Sequence, residues 1–187
     1  RAQGLAEELR TLAEMSSAVS ESLDPREVAD LIARHMARPF GVDECAISFW
    51  DRTGDRLLTW GYWPPQPNSD REPFFALAGY PETRRVLVSQ QTAEVDVDDP
   101  RADGAEVLLL RRDGHRAVVM IPLVVKGETL GLVELIADRS ITLDERRRDL
   151  ARMMANEAAI ALGNAQRYVM ARALADRTVL HAATGTN

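Results

Sequence analysis

Residues 116–137 read Arg-Ala-Val-Val-Met-Ile-Pro-Leu-Val-Val, then Lys-Gly, then Glu-Thr-Leu-Gly-Leu-Val-Glu-Leu-Ile-Ala. Two runs rich in Val, Ile and Leu, joined by two residues that include a glycine, predict an antiparallel hairpin. The runs are too apolar for strands wetted on one face, so both faces of the hairpin need cover, and helices are the simplest cover. A layered α/β or α+β domain follows. Glu134 alone breaks the apolar pattern of the second strand, between Val133 and Leu135. A carboxylate there requires a structural partner, an edge position or a ligand, because burying it alone costs several kcal/mol.

Length and composition narrow the rest. At 187 residues and 45% hydrophobic, the chain supports one good core and is too short for two large ones. The net charge of −6, with arginines scattered or set beside acidic residues on helices, argues against nucleic acid as a partner. The single cysteine, Cys45, rules out an internal disulfide framework and any cysteine-rich zinc site. Its place in a strand-like run suggests a buried, reduced thiol in a cytoplasmic protein. No apolar stretch approaches the length of a membrane span. A first residue of Arg1 rather than Met points to an excised piece of something longer.

Outward from the hairpin, Leu5, Leu9, Leu12, Ser16, Val19 and Leu23 alternate spacings of four and three. That spacing marks a narrow coiled-coil seam on a helix over residues 2–20, pairing with its own copy or packing on its own domain. Asp24-Pro25-Arg26-Glu27 opens a second helix, whose face is Val28, Leu31, Ile32, His35 and Met36 and which ends near Pro39 and Gly41. Strands are predicted over 44–51 and 56–62, a surface loop over 63–73, a short strand over 74–78 and a helix over 81–90. An edge strand over 92–97 and a helix over 105–112 ending at Gly114 complete the approach to the hairpin. Thr142-Leu143-Asp144-Glu145 has the form of a Thr-x-x-Glu capping box for the longest helix, with Leu150, Met154, Ala158, Ala161, Ala165 and Tyr168 on one face. That helix runs on to about residue 178, before a frayed tail over 182–187.

Taken together, Asp-Glu-Cys-Ala-Ile-Ser-Phe-Trp-Asp at 43–51, Gly-Tyr-Pro-Glu-Thr-Arg at 79–84, Ile-Pro-Leu-Val-Val at 121–125, Leu-Gly-Leu-Val-Glu-Leu at 130–135 and Asn-Glu-Ala-Ala-Ile-Ala-Leu at 156–162, in this order, resemble the GAF domain. The resemblance implies an α+β fold related to PAS domains: a central antiparallel sheet of five or six strands, terminal helices on one face and a ligand pocket on the other. It implies an N-terminal signalling helix at 1–22, the GAF domain at 23–168 and a C-terminal extension at 169–187 leading to an effector domain in the same polypeptide. The effector would be a histidine kinase, diguanylate cyclase, phosphatase or transcription factor. Carried over residue by residue, the pocket would be formed by Ala46, Ser48, Trp50, Trp60, Met120 and Glu134, closed by Tyr80 and Arg84. The parallel homodimer would meet along Leu5, Leu9, Leu12 and Val19.

More specialised chemistries of the family find little in this chain. The cyclic-nucleotide signature is broken, its Asn-Lys pair falling on Ala137 and Asp138 and its Phe near Ser140 or Ile141. Bilin attachment uses a cysteine in a later loop or helix, whereas Cys45 sits in the first strand. Of the three histidines only His115 lies near the presumed pocket as a haem ligand, and one cysteine does not sustain the disulfide cycle of the methionine sulfoxide reductases with this fold. No catalytic constellation or metal-ligand spacing stands out. The leading reading is a sensory module for an unidentified small molecule, not an enzyme, with a ligand-free dimerisation scaffold as the alternative.

Overall fold

The structure, a computed structural model, describes residues 2–20, 22–65 and 74–184, with side chains described over 9–172 and at Leu174. Residues 66–73 of the expected surface loop, the last three residues of the expected tail and the side chain of Leu5 lie outside the described residues. Eleven elements follow in order: α1 (Ala2–Val19), α2 (Pro25–Phe40), β1 (Glu44–Asp51), β2 (Arg56–Trp63), β3 (Phe75–Ala76), α3 (Pro81–Ser89), β4 (Ala93–Asp96), α4 (Gly104–Asp113), β5 (Ala117–Val125), β6 (Glu128–Ala137) and α5 (Glu145–Thr184).

The hairpin read from the sequence is β5 and β6. Its two-residue connection has Lys126 at φ 50° and Gly127 at φ 80°, the pair of positive φ values that matches the twist of flanking strands. Strand order in the six-stranded sheet is β3-β2-β1-β6-β5-β4, and every pairing is antiparallel. The hairpin and β1 are therefore central, as their apolar composition requires.

Alternation along these strands divides the interior in two. Cys45, Ile47, Val119, Ile121, Val133 and Leu135 face a layer of α2, α5 and α1. Val118, Met120 and Leu132 face the other way, with Leu57 of β2, toward Val86 and Leu87 of α3 and Leu110 of α4. Two glycines permit close approach. A Cβ on Gly61 would stand 2.2 Å from the carbonyl carbon of Ala29, so α2 lies directly on β2 there, and one on Gly131 would stand 1.9 Å from the Ser48 carbonyl oxygen.

Helix boundaries follow local chemistry. Asp24 caps α2 by accepting from the backbone N–H of Arg26 and Glu27, and Gly41 ends it in the left-handed region at φ 58°. The cap of α5 differs from the expected Thr142 box: Asp144 Oδ1 accepts from the Arg147 N–H at 2.8 Å, and Glu145 is the first helical residue. Asp is the better acceptor and sits nearer the first free N–H groups. The helix then runs unbroken to Thr184, past the expected end. Its buried face is Ala151, Met154, Ala155, Ala158, Leu162 and Ala165, whereas Tyr168, expected on that face, is 44% exposed.

In α1, Met15 and Val19 are buried and Leu12 is partly buried, all against the core of the same chain, while Leu9 is 56% exposed. Ser16 donates to Glu157 of α5 at 3.0 Å, tying the terminal helices together. Part of the seam thus serves its own domain, because 12, 15 and 19 fall on one helical stripe facing α2 and α5.

Candidate functional site

A cavity of about 490 Å³ lies on the sheet face opposite the α2/α5 layer, between the strands and α4. Its floor includes Ala46 and Ser48 of β1, Thr59 and Tyr62 of β2, and Glu134 of β6. Cross-strand register puts Glu134 directly beside Ala46 on one side and Met120 on the other. The opposite wall is α4, contributing Glu106, Leu109, Leu110 and Asp113, and Phe74, Phe75 and His115 bound the sides.

Glu134 is the central polar group. Its side chain is half-buried and lines the cavity. Among the described residues it makes no hydrogen bond and no ion pair. Burial, and secondarily the charge of Glu106, push its carboxyl up to about 7. Glu106 differs in being satisfied. It is 3% exposed, accepts from the Thr83 N–H at 3.0 Å and from its Oγ1 at 2.6 Å, and so caps α3, whose own N-cap residue Tyr80 makes no side-chain cap bond. Burial nevertheless raises the Glu106 carboxyl, against the hydrogen bonds from Thr83.

At the rim Tyr62 donates its hydroxyl to Glu44, His115 Nε2 stands 3.6 Å from the same carboxylate, and His115 Nδ1 stands 3.0 Å from Asp138 Oδ1. Burial raises the Glu44 carboxyl, and the neighbouring His115 pulls it back down. Arg112 Nε pairs with Asp113 Oδ1 at 2.7 Å. Among the described residues, carboxylates therefore outnumber basic side chains around this cavity. No group of three or more His, Cys, Asp or Glu disposed to hold a metal occurs among the described residues.

The expected site residues distribute unevenly. Ala46, Ser48 and Glu134 line the cavity. Met120 is buried beneath it, touched by the Thr83 hydroxyl at 3.5 Å from Sδ. Trp50 shares that sheet face but packs into the second core beyond the cavity, its buried Nε1 without a hydrogen-bond partner and the Arg52 guanidinium 4.4 Å over its ring. Tyr80 packs on Phe75 with centroids 4.5 Å apart, and Arg84 pairs with Asp55 at 2.5 Å; neither lines the cavity.

Trp60 is on the wrong face for the expected role. Register shifts between Ile47 and Ser48, so that Ile47 pairs with Gly61 but Ser48 pairs with Thr59, and Trp60 is the extra residue of a bulge. It stacks on Phe49 at 4.9 Å and packs toward the helix layer, beside a crevice of only about 10 Å³. Sequence reading missed Glu44, Tyr62 and Glu106 as lining residues, whereas His115, expected near the pocket, does line it. For Glu106 a signal existed: it lies four residues before Leu110, on the buried side of α4.

Comparison with known proteins agrees with this geometry. The family model of the GAF domain matches residues 24–162, well over half of the chain. The chromophore-binding domain of an unusual bacteriophytochrome from R. palustris superposes with a TM-score of 0.70 at 11% identity, covering 87% of this chain and 63% of that one, so this chain spans less than two thirds of it. The GAF domain of a phosphoenolpyruvate-protein phosphotransferase from Acinetobacter gives 0.70 at 13% identity, covering 87% and 96%. The free methionine-R-sulfoxide reductase of Neisseria meningitidis, solved with its substrate, gives 0.67 at 16%, covering 87% and 92%. At such identities the likeness is one of fold. No curated protein matches the chain.

Proposed function

The chain belongs to the GAF domain family, and from that premise we propose that it is a regulatory sensor: a small molecule occupies the cavity, and its presence is passed through the terminal helices to an effector domain of the same polypeptide. One observation carries the reading. Glu134, a carboxylate with no partner among the described residues, lines the cavity, while its neighbours Val133 and Leu135 on the same strand pack into the helix-side core. A group that contacts Glu134 thus acts one residue away from the surface on which α5 rests.

The ligand shifts the helices only by binding one arrangement of them more tightly than another. Two copies pair in parallel through α1 and the outer part of α5, where Leu9, Val169, Met170 and Leu174 remain exposed. The role in this reading is regulatory rather than catalytic. No helix among the described residues is long and apolar enough to cross a membrane.

Native mass spectrometry of the freshly purified protein, set against its denatured mass, tests both parts. A dimer carrying a reproducible small extra mass supports the sensor. A dimer without extra mass, whose melting temperature no small molecule raises, supports instead a ligand-free scaffold.

A further inference from the structure

The chemistry of the cavity restricts what it accepts. Glu44 from β1, Glu106 and Asp113 from α4 and Glu134 from β6 bring four carboxylates to its lining. Among the described residues, the basic side chains at its wall are already engaged: Arg112 with Asp113, and the His115 ring between Asp138 and Glu44. An anionic ligand would therefore meet like charge in a partly desolvated space, which is strongly unfavourable. Of the carboxylates, Glu106 is satisfied by Thr83 and Glu44 receives the Tyr62 hydroxyl, whereas Glu134 has acceptor capacity and no donor among the described residues. Leu109, Leu110, Val118, Phe74 and Phe75 supply apolar surface around it.

We propose that the cavity takes a small organic cation, a protonated amine or amidinium with an apolar body, whose N–H groups pair with Glu134. This rests on the cavity being a ligand site, and it adds the ligand's charge class. The carboxylate gains the charge-assisted hydrogen bonds it lacks, and the apolar body covers the leucine and phenylalanine side. Binding requires Glu134 ionised, so affinity rises with pH through its titration near 7. The charged and titratable groups facing it are Glu44 from β1, Tyr62 from β2, Glu106, Arg112 and Asp113 from α4, and His115 ahead of β5. From pH 8.0 to 5.5 the affinity falls roughly thirtyfold if Glu134 dominates.

Three probes of one shape test this: benzamidine as its cation, neutral benzamide and anionic benzoate, titrated into ¹⁵N-labelled protein, with binding located by the amide shifts of Ala46, Leu110 and Glu134. The expected order is benzamidinium first, at least about tenfold tighter than benzamide, and benzoate last. Glu134→Gln, which keeps the side-chain shape, removes the preference and flattens the pH dependence, while the dispersed spectrum shows that the variant is folded. Benzamide or benzoate binding in the cavity as tightly as benzamidinium overturns the charge class but keeps a ligand site. Binding of none of the three up to 10 mM overturns both, and an unchanged benzamidinium affinity in Glu134→Gln removes Glu134 as the anchor.

Discussion

Replacing Glu134 by Gln should stabilise the protein at alkaline pH and do little at acidic pH. An ordinary glutamate titrates at 4.5, and here burial raises the value to about 7. A raised carboxyl means that the folded state holds its proton more tightly than the unfolded chain does. Stability contributed by this group is therefore full below 4.5 and declines as pH rises from 4.5 to 7, after which the loss is constant. The whole loss is about 3 kcal/mol, from 1.36 kcal/mol for each pH unit between the two values. At pH 5 less than about 1 kcal/mol of it has accrued. Gln fills the same volume without charge, and its amide meets the cavity rather than a sealed apolar core. Urea titrations of both proteins at pH 5 and pH 8, compared as differences so that all other carboxylates cancel, measure the effect. The expected gain for Gln is about 2–3 kcal/mol at pH 8 and under about 1 kcal/mol at pH 5. An equal gain at both values, or a loss at pH 8, would refute a desolvated, unpaired carboxylate at this position.

Gly61→Ala should lower the melting temperature by about 5–10 °C, since its methyl meets the backbone of α2 and one element must retreat; a change within 2 °C would show that the contact is slack. Asp144→Ala should cost about 1 kcal/mol as a lost N-cap, and Thr142→Ala less than about 0.5 kcal/mol; the reverse ranking would restore the Thr142 box. Burial raises the Cys45 thiol well above its ordinary range, so a disulfide reagent at pH 8 should leave the folded protein unmodified and label it fully in denaturant. Labelling of the folded protein at the rate of a free thiol would place Cys45 outside the core.

The central hairpin was legible because composition, turn and periodicity all agree over residues 117–137, and Glu134 stood out there as the single polar intrusion. The family pattern put Ala46 and Ser48 of β1 on the cavity face, and both line the cavity. That pattern failed at Trp60, because the bulge opposite Ile47 and Ser48, a property of the pairing and not of β2 alone, turns this residue to the helix side. The far wall of the cavity was not legible either. In the sequence α4 reads only as a helix over 105–112 that ends at Gly114, and only the tertiary placement of α3 shows that Glu106 reaches across to Thr83. Tyr80 and Arg84 were assigned to the cavity from their position in the family pattern, but Tyr80 packs on Phe75 and Arg84 pairs with Asp55.

The outer part of α5 has a consequence for anyone joining this domain to another protein. Ala165 is its last buried side chain among the described residues, and residues 166–184 continue as about 28 Å of unbroken helix. A rigid rod of this kind fixes the rotational phase of whatever is attached to it. Each residue inserted turns the attachment by about 100°, so adding four residues leaves it about 40° ahead and adding seven returns it to within about 20° of its starting phase. A reporter fused through linkers differing by single residues should therefore respond with an output that oscillates with linker length, rather than one that fades.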